Sequence, residues 1–131
     1  MPLSLALGKT KFIEFCFIFV SLSGVPIFHI FLHFLIPLII AFAFFRADWK
    51  KAFLIMVATM LVDIDHVIAT PIYDPMRCSI GFHPLHQLPM VAVYVLMLVP
   101  KKLRLIGLGL VIHMALDSID CYKNLGIWFY G

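Results

Sequence analysis

AFLIMVATMLVDIDHVIAT, residues 52–70, is the stretch that decides the fold. Residues 52–62 carry no charge, and the whole stretch has about the 20 residues that a helix needs to cross the roughly 30 Å hydrocarbon layer of a bilayer. Three ionisable side chains, Asp63, Asp65 and His66, nevertheless lie near its end. An ionisable group at mid-membrane costs about 2.5 to 3.5 kcal/mol. We therefore predict a transmembrane helix whose last turns belong to a polar site.

The rest of the chain shares this apolar character. Of its 131 residues 63% are hydrophobic and 13% are charged, and the mean hydropathy is +1.06. Three further apolar blocks, Val25–Phe45, Leu85–Val99 and Leu105–Ile119, alternate with short polar segments. Strand-like alternation is absent from the sequence, which disfavours a β-barrel. We predict an all-α, polytopic transmembrane bundle of four spans, with residues 1–131 forming a single integral membrane domain.

The segment Phe12–Ser23 is shorter than a full span. Apolar stretches of this length are more often interfacial, re-entrant or part of a signal peptide. We expect a short inserted or interfacial helix that turns at Gly24–Pro26, with Cys16 as an apolar filler.

The basic residues predict the orientation. Most of them form two clusters, one after the first span and one after the third: Arg46, Lys50 and Lys51, then Lys101, Lys102 and Arg104. In a four-span bundle these clusters lie on one side, which the positive-inside tendency makes the cytoplasm. This pattern accounts for the net charge of +3 and disfavours nucleic-acid binding. We predict a multi-pass protein of the bacterial inner membrane whose partners are membrane lipids, and the sequence leaves the oligomeric state open.

Each predicted span carries histidine or aspartate on one edge. Residues three or four apart share a helix face, which groups His29 with His33, Asp63 with His66, His83 with His86, and His113 with Asp117 and Asp120. In the predicted orientation all four edges lie in the outer half of the bundle. Lysine and arginine are absent from the outer halves of these helices. We therefore expect the four edges to meet in one site.

Mixed imidazole and carboxylate ligands suit zinc, manganese or iron. We assign to the metal shell His33, Asp63, His66, His83, His86, His113 and Asp117. This set exceeds the four positions of a tetrahedral ion, so one or two divalent ions fit, and two use the ligands better. A hydrogen-bonded network without metal is an alternative. Haem is another, but it leaves the carboxylates unexplained.

Four further residues complete the predicted site. Asp65 and Asp120 are second-shell groups that orient ligands, or a general base. On an ideal α-helix Asp65 points away from Asp63 and His66, so it joins them only where the helix bends or ends. Arg77 and Lys123 are placed to bind a phosphate or another anion.

Two of the three cysteines, Cys78 and Cys121, lie on the predicted outer side, in an oxidising compartment. They form either a disulfide or two free thiols.

Two runs, LVDIDHVIATPIYDPMRCSIGFHPLH (61–86) and VIHMALDSIDC (111–121), resemble small bacterial inner-membrane proteins related to the membrane-bound metal-dependent hydrolases, some of them LexA-regulated. The resemblance covers about residues 28–121. The Asp-x-Asp-His motif at 63–66, the later histidines and the His-x-x-x-Asp motif at 113–117 carry it. It implies a divalent-metal hydrolase in the membrane. The family's His-Arg pair reads His83-Pro84 here, and Arg77 is a candidate to replace that arginine.

The expected function is a metal-dependent hydrolase at the outer leaflet. Such an enzyme uses a metal-bound water of lowered pKa. Since the sequence offers no soluble domain to select a polymer, a lipid or phosphoester substrate is expected. The alternative is a non-enzymatic metal-binding or ion-transporting membrane protein. An ion pathway would place polar residues through the whole thickness of the bilayer, whereas the predicted inner halves are apolar.

Overall fold

The computed structural model describes residues 26–72, 74 and 76–131, so the predicted N-terminal helix and Cys16 lie outside the described residues. The α-helices are α1 (Pro26–Phe44), α2 (Trp49–Ala58), α3 (Leu88–Leu96) and α4 (Arg104–Leu125). Three 3₁₀ helices accompany them, at Arg46–Asp48, Thr59–Ile68 and Pro84–His86. None of the described residues lies in a strand. The all-α prediction is confirmed for this part of the chain.

The chain divides into two compact units, Met1–Phe31 and Leu32–Gly131. The described residues of the first unit, 26–31, form the beginning of α1. The second unit contains the remaining helices and every residue of the site described below.

Among the residues that the structure describes, two helices are long and apolar enough to cross a membrane, over Ile27–Phe44 in α1 and Arg104–Leu125 in α4. α1 begins at a proline, which the first turn of a helix tolerates because its N–H has no intrahelical partner there. α4 continues past its predicted end at Ile119 and stops at Gly126, whose φ of 71° forms a left-handed cap. Asp120 and Cys121 therefore belong to the helix.

The second predicted span, Ala52–Thr70, is helical as far as Ile68 but not uniformly α-helical. The chain tightens after Ala58 into the 3₁₀ helix Thr59–Ile68, which we call the long 3₁₀ helix. Because this helix has three residues per turn, its buried residues Thr59, Val62 and Asp65 lie in one line. Asp63 and His66 form the neighbouring line. The change of helix type thus turns Asp65 toward the interior while keeping Asp63 and His66 on one face.

The third predicted span, Leu85–Val99, contains a much shorter α-helix than expected. α3 has 9 residues, which at about 1.5 Å per residue gives about 14 Å. Gln87 is extended and separates α3 from the turn Pro84–His86. The Tyr94 hydroxyl donates a 2.9 Å hydrogen bond to the Leu85 carbonyl, so α3 holds this turn in place.

Helix α4 packs against α2, α3 and the long 3₁₀ helix. Two glycines permit this close packing. A Cβ at Gly109 would lie 2.7 Å from Thr59 Oγ1, and one at Gly107 would lie 2.8 Å from Met97 Cβ. Small residues let helix backbones approach closely in this way. The following turns of α4 are thereby brought beside the long 3₁₀ helix.

A disulfide joins Cys78 to Cys121, with 5.0 Å between the Cα atoms. Nearby, the backbone N–H of Tyr130 donates a 2.7 Å hydrogen bond to the Ile80 carbonyl. The Ser118 hydroxyl also bonds the Trp128 carbonyl, at 2.7 Å. The loop before His83 is therefore tied both to the last turns of α4 and to the C-terminal residues.

Candidate metal centre

Four side chains from three elements converge in the second unit. Asp63 comes from the long 3₁₀ helix, His86 from the turn Pro84–His86, and His113 and Asp117 from adjacent turns of α4. Each offers one ligand atom, and these atoms all lie within 4.8 Å of one another. We call them the four-donor centre. His86, His113 and Asp117 are buried, whereas the Asp63 side chain is 40% exposed.

Four of the six distances between the donor atoms are close to those of a tetrahedral coordination shell. Asp63 Oδ1 lies 3.0 Å from His113 Nε2 and 3.3 Å from His86 Nε2. Asp117 Oδ2 lies 3.3 Å from His86 Nε2 and 3.5 Å from His113 Nε2. Ligands about 2.0 to 2.1 Å from a tetrahedral ion lie about 3.3 to 3.4 Å apart. The four residues could therefore hold a zinc-sized ion after small shifts of their side chains.

His86 provides the clearest sign of a cation. Its Nδ1 lies 3.1 Å from Asp65 Oδ2, which also accepts the Leu85 N–H at 2.8 Å. Because a carboxylate accepts protons in hydrogen bonds, this contact places the proton of His86 on Nδ1. The lone pair of Nε2 then faces the oxygens of Asp63 and Asp117, and this buried atom has no hydrogen-bond partner among the described residues. A lone pair beside two carboxylates is repulsive, so this position requires either a metal cation or a second proton on the His86 ring.

Asp65 is therefore placed to orient the His86 ring in this arrangement. It is 3% exposed, and its other oxygen, Oδ1, lies 3.0 Å from His66 Nδ1. A carboxylate that holds a ligating histidine by its remote nitrogen is the usual second-shell partner at metal sites. Of the two roles predicted for Asp65, the geometry favours the orienting one over the general base.

His33 lies beside the four-donor centre. Its Nε2 is 3.4 Å from Asp117 Oδ1, the carboxylate oxygen on the far side from His86. Its ring meets the His113 ring edge to face, with 4.4 Å between the centroids. His33 was predicted as a ligand, and the structure places it where it supports Asp117 and His113.

The other two predicted ligands, His66 and His83, form a second group with Asp65 whose donor atoms also lie within 4.8 Å of one another. The rings of His66 and His83 are stacked, with 3.8 Å between their centroids. His66 Nε2 lies 3.2 Å from Ser79 Oγ, so both nitrogens of His66 face protein partners. Burial, assisted by the nearby His66 ring, lowers the pKa of His83 to about 4. This second group is more engaged in internal contacts than the four-donor centre.

The remaining predicted residues contribute no donor atom to the four-donor centre. Asp120 accepts a 3.1 Å hydrogen bond from the Asn124 amide. Arg77 bonds the Pro71 carbonyl at 2.8 Å and lies over the Phe82 ring, within its own loop. Lys123 is exposed on the last turn of α4. Asp120 belongs to none of the three His/Asp groups that could hold a metal ion among the described residues.

The contacts of Ser79 and Tyr94 with the site were not expected from the sequence. Ser79 touches His66, and Tyr94 holds the turn that carries His86. Neither residue stands out by spacing, since serine and tyrosine are common in loops and apolar helices. Only the folded loop brings them to the histidines.

Fold and site together define a helical protein with a buried histidine and aspartate cluster that could hold a metal ion. The chain belongs to a family of unknown function, DUF6122, whose model matches residues 25–123. This match includes every member of the four-donor centre. No curated protein and no solved structure matches the chain.

Proposed function

We propose that the protein is a membrane-embedded, metal-dependent hydrolase that acts on a lipid or phosphoester at the outer leaflet of the bacterial inner membrane. One divalent ion, zinc before manganese or iron, binds the four-donor centre. A second ion at Asp65, His66 and His83 would have to displace the internal contacts of these side chains. The observation that carries the proposal is the His86 ring, whose Nδ1 is held by Asp65 and whose Nε2 faces two carboxylate oxygens.

The distribution of polar residues supports a membrane environment. Large apolar side chains are exposed on every α-helix, for example Phe44 at 78%, Leu54 at 65% and Leu96 at 67%. Meanwhile His86 and His113 are at most 2% exposed. A soluble protein shows few such apolar patches, whereas a protein in lipid keeps its ionisable groups inside.

Helix lengths support more crossings than α1 and α4 alone. α2 and the long 3₁₀ helix have 10 residues each, which gives about 35 Å at 1.5 and 2.0 Å per residue. That length exceeds the roughly 30 Å hydrocarbon layer. The fourth crossing would be the broken segment around α3, because irregular backbone is tolerated at membrane depth where protein covers it. The disulfide agrees with an outward-facing site.

Hydrolysis requires a position at the ion where water can bind. A bound ion supplies a water of lowered pKa and a Lewis acid for the attacked oxygen. Asp63 and His66, with side chains 40% and 25% exposed, form the open side of the site. His86, His113 and Asp117 hold the closed side. Asp65 keeps His86 in its ligating tautomer, and the half-exposed Asp63 is the donor best placed to make room for water or substrate.

One observation favours a second candidate, a metal-binding protein without catalysis. Four protein donors fill a tetrahedral shell, as in structural zinc sites, whereas catalytic zinc usually has three protein ligands. In the hydrolase reading the ion must expand its coordination or exchange Asp63 for water. The two candidates therefore share the site and differ in turnover.

The test compares wild type with Asp117→Asn and with Asp48→Asn, a matched control at an exposed carboxylate outside the site. We expect one or two equivalents of zinc, manganese or iron per wild-type chain purified without chelator. Asp117→Asn should lose metal, because the amide keeps the size but not the anionic ligand, and Asp48→Asn should keep it. Each protein is then assayed against a panel of phosphoesters and lipids.

The outcomes separate the candidates. Metal-dependent turnover that is lost in Asp117→Asn supports the hydrolase. Stoichiometric metal with no turnover supports the metal-binding protein, and flux of the metal across vesicles that depends on Asp117 would indicate transport. A folded wild-type protein without metal, whose side chains bond only to one another, would overturn both readings.

A further inference from the structure

A surface groove runs between the helix pair α2 and long 3₁₀ helix on one side and α4 on the other. It has a volume of about 540 Å³, and its walls include Ile55, Ala58, Thr59 and Val62 opposite Ile106 and Leu110. The one hydroxyl among these residues, on Thr59, donates to the Met56 carbonyl. The groove therefore offers apolar surface with no unused polar side chain.

One end of the groove adjoins the four-donor centre. Val62 directly precedes Asp63, and Leu110 lies one helical turn before His113. Asp63 and His113 are themselves 3.0 Å apart. Thr59 also lines a small internal space that His33 and His113 border. Along both helices, therefore, the groove walls approach the residues of the four-donor centre.

The length and direction of the groove match one lipid chain. From Ile55 to Val62 the two helices rise about 12 Å, which is the scale of a single acyl chain. Both walls lead from the site toward the helix ends that carry the basic clusters, the predicted inner side. A lipid of the outer leaflet is arranged in the same way as the site and groove, because its polar phosphoester lies at the outer surface and its apolar chains extend toward the midplane.

We propose that this groove binds one acyl chain of a lipid whose phosphoester lies at the four-donor centre. This inference rests on the proposed function and narrows its substrate to phospholipids. Because lipid tails are as apolar as the groove walls, the groove adds little affinity over the bilayer. Its contribution is position, since it sets the depth and the angle at which the phosphoester meets the ion.

The test uses vesicles of phosphatidylcholine that contain a trace of a phosphatidylglycerol analogue with a photoreactive diazirine in one acyl chain. Labelled positions on the zinc-loaded protein are located by mass spectrometry. We expect the labels to concentrate on residues 55–62 and 106–110 rather than on the exposed, lipid-facing side of α3. Ala58→Trp fills the groove and should lose this labelling. The matched control, Ala92→Trp on an exposed position of α3, should retain it.

A second variant, Ile106→Trp, fills the groove from its other wall and should also lose the labelling. It keeps the test valid if Ala58→Trp fails to fold, and wild-type zinc content is the criterion of folding for both. Even labelling of all exposed apolar residues would overturn the inference. Labelling that persists in both folded variants, or cross-links from groove residues to a second copy of the chain, would also overturn it.

Hydrolysis distinguishes this inference from the proposed function. If both hold, groove-filling variants should lower turnover of phosphatidylglycerol by up to about 10²-fold, the effect of displacing a substrate by about 1 Å. A dibutyryl analogue should be hydrolysed at the wild-type rate. An equal loss of turnover for both lipids would refute acyl-chain binding in the groove and leave the proposed hydrolase activity standing. Groove labelling without hydrolysis of any lipid would instead refute the hydrolase.

Discussion

Replacing Asp65 by asparagine is the sharpest test of how the site is built. Asp65 Oδ2 accepts from His86 Nδ1 and from the Leu85 N–H, while Oδ1 lies 3.0 Å from His66 Nδ1. Asparagine can keep its oxygen toward His86 and Leu85 and place its amide toward His66, which then has to offer a lone pair. The fold should survive. The negative charge that makes His86 a strong ligand is lost.

The expected decrease in metal affinity follows from the loss of this charge. Removing a second-shell partner of a metal-bound histidine lowers metal affinity by about 10- to 100-fold, or about 1.4 to 2.7 kcal/mol. At a metal concentration of 100 times the wild-type Kd, binding stabilises the wild type by about 2.7 kcal/mol. The same concentration should stabilise Asp65→Asn by only about 0.4 to 1.4 kcal/mol.

The assay has two parts, zinc competition against a chromophoric chelator and unfolding with and without zinc, both in detergent. Asp48→Asn, which removes an exposed carboxylate, is the control and should match wild type in both. Wild-type affinity in Asp65→Asn would refute the positioning role. If turnover then fell by about 10²- to 10⁴-fold, the general-base role would replace it.

Two further predictions concern the loop above the site and the orientation of the chain. Replacing Cys78 and Cys121 by serine opens a link between residues 43 positions apart, so stability should fall by about 4 kcal/mol, and zinc affinity should fall because His86 follows this loop. The orientation is tested with single cysteines at positions 76 and 48 in a Cys16→Ser background; Met76 is 68% exposed. An impermeant thiol reagent added outside intact cells should label Met76→Cys and should not label Asp48→Cys.

Each of these has an outcome that contradicts it. Unchanged zinc affinity in the serine double variant would show that the loop holds His86 without the disulfide. Labelling of position 48 but not 76 would reverse the orientation and move the site to the cytoplasmic side. Permeabilised cells serve as the control, because both positions should then react.

The helical class and most of the site residues were predictable from the sequence because both depend on local pattern. Long apolar blocks require helices, and ionisable residues inside them are rare enough to mark a site. Spacing alone paired His113 with Asp117, since residues four apart share a helix face. Three of the four predicted edges supply a donor to the four-donor centre, whereas the edge of the first span supplies none.

The role of each site residue depends on contacts that spacing does not encode. Periodicity assumed an α-helix through Asp65, but the tighter 3₁₀ winding turned this side chain inward, where it bonds the ring of His86. The choice between a disulfide and free thiols at Cys78 and Cys121 likewise depended on distance in space.

The sequence by itself therefore determined which residues could form the site, because burying a charge in an apolar chain is costly wherever the chain folds. Only the tertiary structure decided which of them meet. It placed Asp63, His86, His113 and Asp117 together and left His66 stacked on His83 beside them. The physical reason is that ligation tolerates only a few tenths of an ångström of error in the donor–metal distances. Those distances are set by helix type, by the close packing at Gly109 and by the path of the loop.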